Sequence, residues 1–169
     1  MDRKLNNRNQ EIIDVLPNIR RFAASLTGNL ADADDLLQST VERLLARGLA
    51  DDVAVLPWCL RVCRNLWIDE LRSRKVRSDA AREPAVIGEQ VVEGEDQVLG
   101  EMTLAEVQEV LRSMSDDQRA VLELVAVEGY SYKEAAQVLE VPVGTVMSRL
   151  ARARTTLMER SGIAGARSA

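Results

Sequence analysis

Thr145, Ser148, Arg149 and Arg152 fall at three- and four-residue spacings within one C-terminal stretch, Val143 to Arg154. On a helix, such positions gather on one side. Short hydroxyls followed by guanidinium groups donate and accept hydrogen bonds at base edges and phosphate oxygens, which is recognition chemistry and not covalent chemistry. In the same stretch Val146, Leu150, Ala153 and Leu157 recur at helical spacing and predict a buried back. Just upstream, Ser131 and Glu134 form a Ser-x-x-Glu capping box, so a helix is expected to open there. Its Ala135 and Ala136 are small enough for a second helix to cross closely. Pro142 then interrupts the chain, and the next helix starts at about Val143. An apolar back with a polar front is what a helix-turn-helix needs to enter a major groove. An ordinary helical hairpin with a solvated arginine face fits the same residues.

Covalent catalysis has little to work with. The chain contains no histidine, which removes Ser-His-Asp and Cys-His nucleophiles and the histidine-containing zinc sets. Cys59 and Cys63 are the only cysteines; helix geometry disfavours a disulfide between them, and two thiolates alone make a poor metal site. They read as small buried apolar residues. Neither a Gly-x-x-x-x-Gly-Lys-Ser/Thr loop nor a Gly-x-Gly-x-x-Gly turn is present. The sequence therefore predicts no catalytic residue, no metal site and no cofactor, and the protein is not expected to be an enzyme.

The elements that must position the polar front are helices. At 169 residues the chain suits one or two small domains, and 46% hydrophobic with 29% charged residues indicates a globular chain. Aromatic residues make up only 3%, and the Ala, Leu, Val, Arg and Glu content favours helix over sheet. No apolar run approaches the roughly 18 residues of a membrane span. The N-terminal Met1-Asp2-Arg3-Lys4-Leu5-Asn6-Asn7 lacks the apolar segment of a signal peptide, so no membrane insertion and a cytoplasmic location are expected.

Apolar periodicity predicts a first helix from about Gln10 to Thr27. A second is capped by Asn29 and stops near Gly48, with Asp32, Asp34 and Asp35 in its first turn. A third runs from about Val53 to Arg74, bent around Arg64-Asn65. Residues Arg82 to Gly100, rich in glycine and acids, read as a linker. Helix returns from Glu101 to Met114, and Ser115 caps another that ends at Gly129. The expected fold is all-α: a helical domain over 1–80, an acidic linker over 81–100, and a helix-turn-helix domain over 101–169.

Charge is uneven along this plan. Net charge is −5, yet Arg61 to Arg77 holds six basic residues against Asp69 and Glu70, and Val143 to Arg160 holds four arginines against Glu159. Between them, Glu83 to Leu111 carries eight acids and no lysine or arginine. Two basic patches around an acidic spacer suggest two nucleic-acid contacts. Solvated basic faces are the plainer explanation. Because free-standing DNA affinity comes mainly from phosphate neutralisation, an acidic chain needs help from elsewhere to bind DNA well.

Three blocks, in order across nearly the whole chain, resemble the extracytoplasmic-function (ECF) group of bacterial RNA polymerase sigma factors. They are Arg21 to Gln38, Trp58-Cys59-Leu60-Arg61-Val62-Cys63-Arg64-Asn65-Leu66-Trp67-Ile68-Asp69, and Gly129 to Arg154. The resemblance implies promoter-specific transcription initiation with core RNA polymerase, promoter DNA and an anti-sigma factor as partners. The N-terminal domain, similar to sigma region 2, would dock on polymerase through Asp35, Gln38 and Glu42. It would also open the −10 element. There Arg61 and Asn65 match the capture site for an unpaired base, with Arg72, Arg74 and Lys75 near the backbone. A helix cap at a bend is the other explanation for Asn65. Trp58 and Trp67 can stack on bases, with core packing favoured for Trp58.

The C-terminal domain, similar to sigma region 4, would read the −35 element through Thr145, Met147, Ser148, Arg149 and Arg152, with Tyr132 and Lys133 touching the backbone. Arg149 and Arg152 suit guanine edges or phosphates equally. Met147 stands where relatives often carry Lys or Arg, so contact there would be apolar. The acidic linker resembles a connector that threads through polymerase, and a plain disordered tether has the same composition. Two other functions fit part of the pattern: a helix-turn-helix regulator acting without polymerase core, and a sigma mimic that sequesters an anti-sigma factor.

Overall fold

The computed structural model describes residues 2–81 and 103–160. Among these residues there are seven α-helices and no strand: α1 (Asp2–Thr27), α2 (Leu30–Arg47), α3 (Val55–Ala81), α4 (Leu104–Ser113), α5 (Asp116–Leu122), α6 (Tyr132–Leu139) and α7 (Val143–Arg160). The chain separates into two compact units, one built on α1–α3, the other on α4, α5, α7 and most of α6. The acidic linker expected over 81–100 lies outside the described residues, apart from Ala81, which closes α3.

In the first unit every helix turns one apolar stripe inward. Ile19, Phe22, Ala23 and Leu26 from α1 meet Ala33, Leu36 and Leu44 from α2 and Val55, Cys59, Leu60, Cys63 and Trp67 from α3, all buried. Thr40 is buried among them and stays satisfied because its hydroxyl donates to the Leu36 carbonyl at 2.8 Å. Both cysteines behave as apolar filler: burial pushes the thiol of Cys59 up to about 11 and that of Cys63 to about 12. Asn29 caps α2, its Oδ1 accepting from the Asp32 amide at 2.8 Å. Gly48, at φ 65°, ends it in a backbone region where a Cβ would be strained.

α1 begins earlier than its periodicity suggests. Residues 2–9 carry too few apolar side chains to show a stripe, but Arg8 anchors the segment to the loop between α2 and α3. Its Nη2 donates to the carbonyls of Ala50 (3.2 Å) and Val53 (2.8 Å). Pro17 is accommodated on the exposed side of α1, where water can replace the hydrogen bond its missing N–H gives up. α3 also differs from expectation. It passes Arg64 and Asn65 as one helix and continues to Ala81.

The second unit buries Val110 of α4, Met114 at its C-terminal cap, and Ala120, Val121 and Leu124 from the α5 segment. Ala135 and Ala136 of α6 and Val146, Leu150 and Ala153 of α7 complete the set. Reciprocal capping boxes open α4 (Thr103 with Glu106) and α5 (Ser115 with Gln118). Arg119 ties α5 back to the end of α4, donating to the Met114 carbonyl at 2.6 Å and pairing with Asp116. After Leu122 the helix widens into a single π turn, Glu123–Val127, in which the Glu128 amide donates to the Glu123 carbonyl at 2.9 Å. Gly129, at φ 74°, then stops it.

Phe22→Ala should cost the first unit about 3–5 kcal/mol, because a fully buried ring leaves a cavity. Leu45→Ala, at a side chain 66% exposed, should stay within about 0.5 kcal/mol. Native-state hydrogen exchange of amides in α1–α3 measures both.

Candidate nucleic-acid interfaces

In the second unit the Ser131–Glu134 capping box is formed as expected. The Ser131 amide donates to Glu134 Oε2 at 2.8 Å, and the Glu134 amide to Ser131 Oγ at 3.2 Å. This fixes the first turn of α6, leaving Lys133 exposed and Tyr132 half-buried. Glu140, at φ 53°, and Pro142 make the turn into α7. Burial of Val146, Leu150 and Ala153 then sets which side of α7 faces inward. Met147, Ser148 and Arg152 face solvent and Thr145 is half-buried. The Ser148 hydroxyl donates to the Thr145 carbonyl at 3.1 Å, and its oxygen keeps lone pairs for an outside donor. No carboxylate among the described residues pairs with Arg152. Met147, 53% exposed, presents a bare thioether chain.

Arg149 departs from this face. It follows Val146 by three residues and immediately precedes Leu150, so it lies at the border of the buried stripe. Its side chain is only 20% exposed, and Nη2 reaches Asp117 Oδ2 in the first turn of α5 at 2.8 Å. Nη1 is buried without a hydrogen-bond partner. Grouping it with Thr145, Ser148 and Arg152 overlooked how narrow an outward sector a packed helix leaves.

In the first unit, α3 divides along its length. Its N-terminal half fills the core, and from Leu71 to Arg77 every residue is exposed. Arg72 and Lys75 are open to solvent there, with Asp69 only loosely opposite Arg72 at 3.8 Å. Arg61 and Asn65 lie one turn apart on the same helix, both half-buried. Because α3 is continuous, Asn65 is not a helix cap.

Arg74 is not a free cation. It donates to Glu70 Oε1 at 2.8 Å and to both carboxylate oxygens of Asp32 on α2 at 3.2 Å. Its guanidinium carbon stands 5.2 Å from the Trp67 ring centroid. The two tryptophans reverse the expectation: Trp67 is 6% exposed in the core, and Trp58 is the one left half-buried. Arg74 lies over the ring of the buried Trp67. The Arg74 network pulls the Asp32 carboxyl below its usual value of 3.8, chiefly through the hydrogen bond from Arg74 with help from Asn29. Glu70 is lowered by the same guanidinium.

On α2, Asp35, Gln38 and Glu42 form one exposed stripe in which Gln38 Nε2 donates to Glu42 Oε1 at 3.0 Å. Asp32, in the first turn of α2, and Asp34, just beyond it, are both paired with arginines of other helices, Asp34 with Arg20 at 2.6 Å on the surface. Sequence reading missed Arg20 and Asp32 as organisers of this face. Their partners lie in other helices, which spacing along a single helix does not reveal.

Comparison with known proteins agrees with this layout. The sigma-70 region 2 family model matches residues 12–77, and the sigma-70 region 4 model matches residues 104–157. The chain is 32% identical over 149 residues to the ECF RNA polymerase sigma factor EcfG of Rhodopseudomonas palustris, covering 87% of this chain and 81% of that one. It is 34% identical over 145 residues to the ECF RNA polymerase sigma factor SigC of Mycobacterium tuberculosis, covering 82% and 74%. Among solved structures, the sigma factor RpoE of Bartonella quintana, crystallised with the anti-sigma factor NepR, matches with a TM-score of 0.77 and 28% identity. That match covers 91% of this chain and 96% of the other.

The Asp32–Arg74 link should be acid-labile. The folded-state value of Asp32 lies below the unfolded one, so its stabilisation is complete above the ordinary carboxylate range and is lost as pH falls through the lowered value. The stability gap between wild type and Asp32→Asn, read from urea midpoints of the first unit, should therefore be largest near neutral pH. It should close below about pH 4.

Proposed function

Since the chain belongs to the ECF RNA polymerase sigma factors and carries both region 2 and region 4 of the sigma-70 family, we propose that it binds core RNA polymerase and directs it to a restricted set of promoters. The observation that carries this reading is the pairing of two basic faces on two separate units. One is the exposed C-terminal half of α3 and the other is the outward face of α7. A regulator needing only a helix-turn-helix would leave the first of these without a task.

In the second unit, α7 enters the major groove of the −35 element. Arg152, Ser148 and Thr145 offer hydrogen bonds, Met147 offers an apolar surface suited to a thymine methyl, and Tyr132 and Lys133 approach the backbone. Arg149 enters this reading already held by Asp117. In the first unit, Arg61 and Asn65 hold an unpaired base of the −10 element while Arg72 and Lys75 neutralise phosphates. Arg74 joins them only by giving up Asp32 or Glu70, and Trp67 supports the site from within the core. Polymerase docks against the Asp35–Gln38–Glu42 stripe. The factor performs no covalent step itself; selectivity comes from joining two weak DNA contacts to a third contact with polymerase, which multiplies effective affinity. An anti-sigma factor, as in the complex of the Bartonella relative, is the regulatory partner.

Transcription in vitro with purified core polymerase and a promoter library tests the whole reading. Promoter-specific transcripts should require the protein. Tight sequence-specific binding without core would indicate a free-standing regulator, and anti-sigma binding with no transcription under any condition would indicate a mimic. Arg152→Ala should cost about 1–3 kcal/mol of −35 discrimination at one position if the contact is to a base edge. Asn65→Ala should retain helicity and core binding but lose strand opening, read as loss of permanganate-reactive thymines at −10.

A further inference from the structure

Arg149 is the one α7 arginine whose guanidinium is turned toward protein. Its side chain is 20% exposed, one terminal nitrogen bonds Asp117 at 2.8 Å, and the other is buried with no acceptor. A guanidinium reading DNA presents its planar fork of donors to base or phosphate. Here one arm is spent on α5 and the other faces inward. Asp117 is itself well placed: it follows the Ser115 cap in the first turn of α5, where unpaired backbone amides favour an anion. The pair thus joins two elements whose relative rotation decides which α7 side chains point outward. The apolar contacts of Val146, Leu150 and Ala153 are non-directional and tolerate some axial rotation. A directed ion pair at the border of that stripe does not.

We infer that Arg149 is a positioning residue: through Asp117 it locks the rotation of α7 on α5, and it does not touch the DNA that α7 reads. The DNA half of this statement rests on the −35 reading above; the latch half stands on geometry alone. Removing either partner frees α7 to roll, so every base position is read less well by a similar factor. The phosphate count is unchanged.

Two measurements on the full-length protein separate the halves. In the free protein, amide exchange along α7 should quicken in Arg149→Gln and in Asp117→Asn by a similar factor, roughly fivefold. The double variant should add nothing, since both delete one interaction. Arg149→Lys, which keeps a cation opposite Asp117, should recover most of the protection. Unchanged exchange in Asp117→Asn would overturn the latch, whatever the DNA results.

With core polymerase, both variants should weaken promoter binding to a similar extent at all −35 positions. The salt slope should be unaltered, and Arg149→Lys should keep the wild-type base preference. A slope lower by about one in Arg149→Gln alone would make Arg149 a phosphate contact and overturn the proposal. Loss of preference at a single base in Arg149→Gln and Arg149→Lys, with Asp117→Asn silent, would make it a base reader and overturn it equally. A wild-type protein with no −35 preference would sink the promoter reading, while exchange along α7 would still decide the latch. If Arg149→Gln fails to fold, Asp117→Asn and Arg149→Lys carry the same comparison.

Discussion

The helical period of α7 is the constraint from which the second unit's surface follows. Once Val146, Leu150 and Ala153 are inside, each remaining residue of that helix has its direction relative to that stripe set by about 100° per residue. Ser148 and Arg152 must then point outward and Arg149 must lie at the edge. The capping box at Ser131, the left-handed Glu140 and Pro142 act only to deliver α7 at the right angle. A packed helix therefore offers fewer outward positions than its polar residues suggest, and an arginine at the margin is drawn into the fold.

The first unit solves a different problem. α3 has to be a core element and a basic arm at once, and it does so end to end instead of face to face. Its first half carries Val55, Cys59, Leu60, Cys63 and Trp67 into the interior, and its second half extends beyond the packed layer with arginines and a lysine exposed. Arg74 stands where the two halves join. By holding Asp32, Glu70 and the face of Trp67 together, one side chain ties α2 to α3 and closes the core beneath the arm. The electrostatic contribution of such partly exposed pairs is modest, so its effect is on geometry more than on stability.

Much of this was legible in the sequence because caps and apolar stripes are local. Asn29, Ser115 and Ser131 marked helix starts correctly, and the family blocks placed both regions. What failed was local in a different sense. Asn65 can be read as a cap at a bend, whereas it lies inside one uninterrupted helix whose flanking Leu60, Cys63 and Trp67 are all buried. The early start of α1 depends on Arg8 reaching loop carbonyls more than forty residues away. The π turn after Leu122 leaves no trace in composition. Trp67 lies deeper than Trp58, against expectation, because a stripe predicts which side of a helix is buried, not how deep each residue lies along it. In the candidate interfaces, residue types were readable but commitments were not: Arg74 and Arg149 look identical to Arg72 and Arg152 until their carboxylate partners on other helices are known.

The placement of aromatic residues has an optical consequence. Both tryptophans of the chain lie in α3, and both tyrosines, Tyr130 and Tyr132, lie at the entry to α6. Each unit thus carries its own class of chromophore. Indole emission reports on the first unit alone, with Trp67 shielded beneath a guanidinium and Trp58 nearer to water. Phenol absorbance belongs entirely to the second, beside the helix proposed to approach DNA. Excitation at the red edge, where indole absorbs and phenol does not, therefore addresses the first half of this molecule by itself, with no label attached.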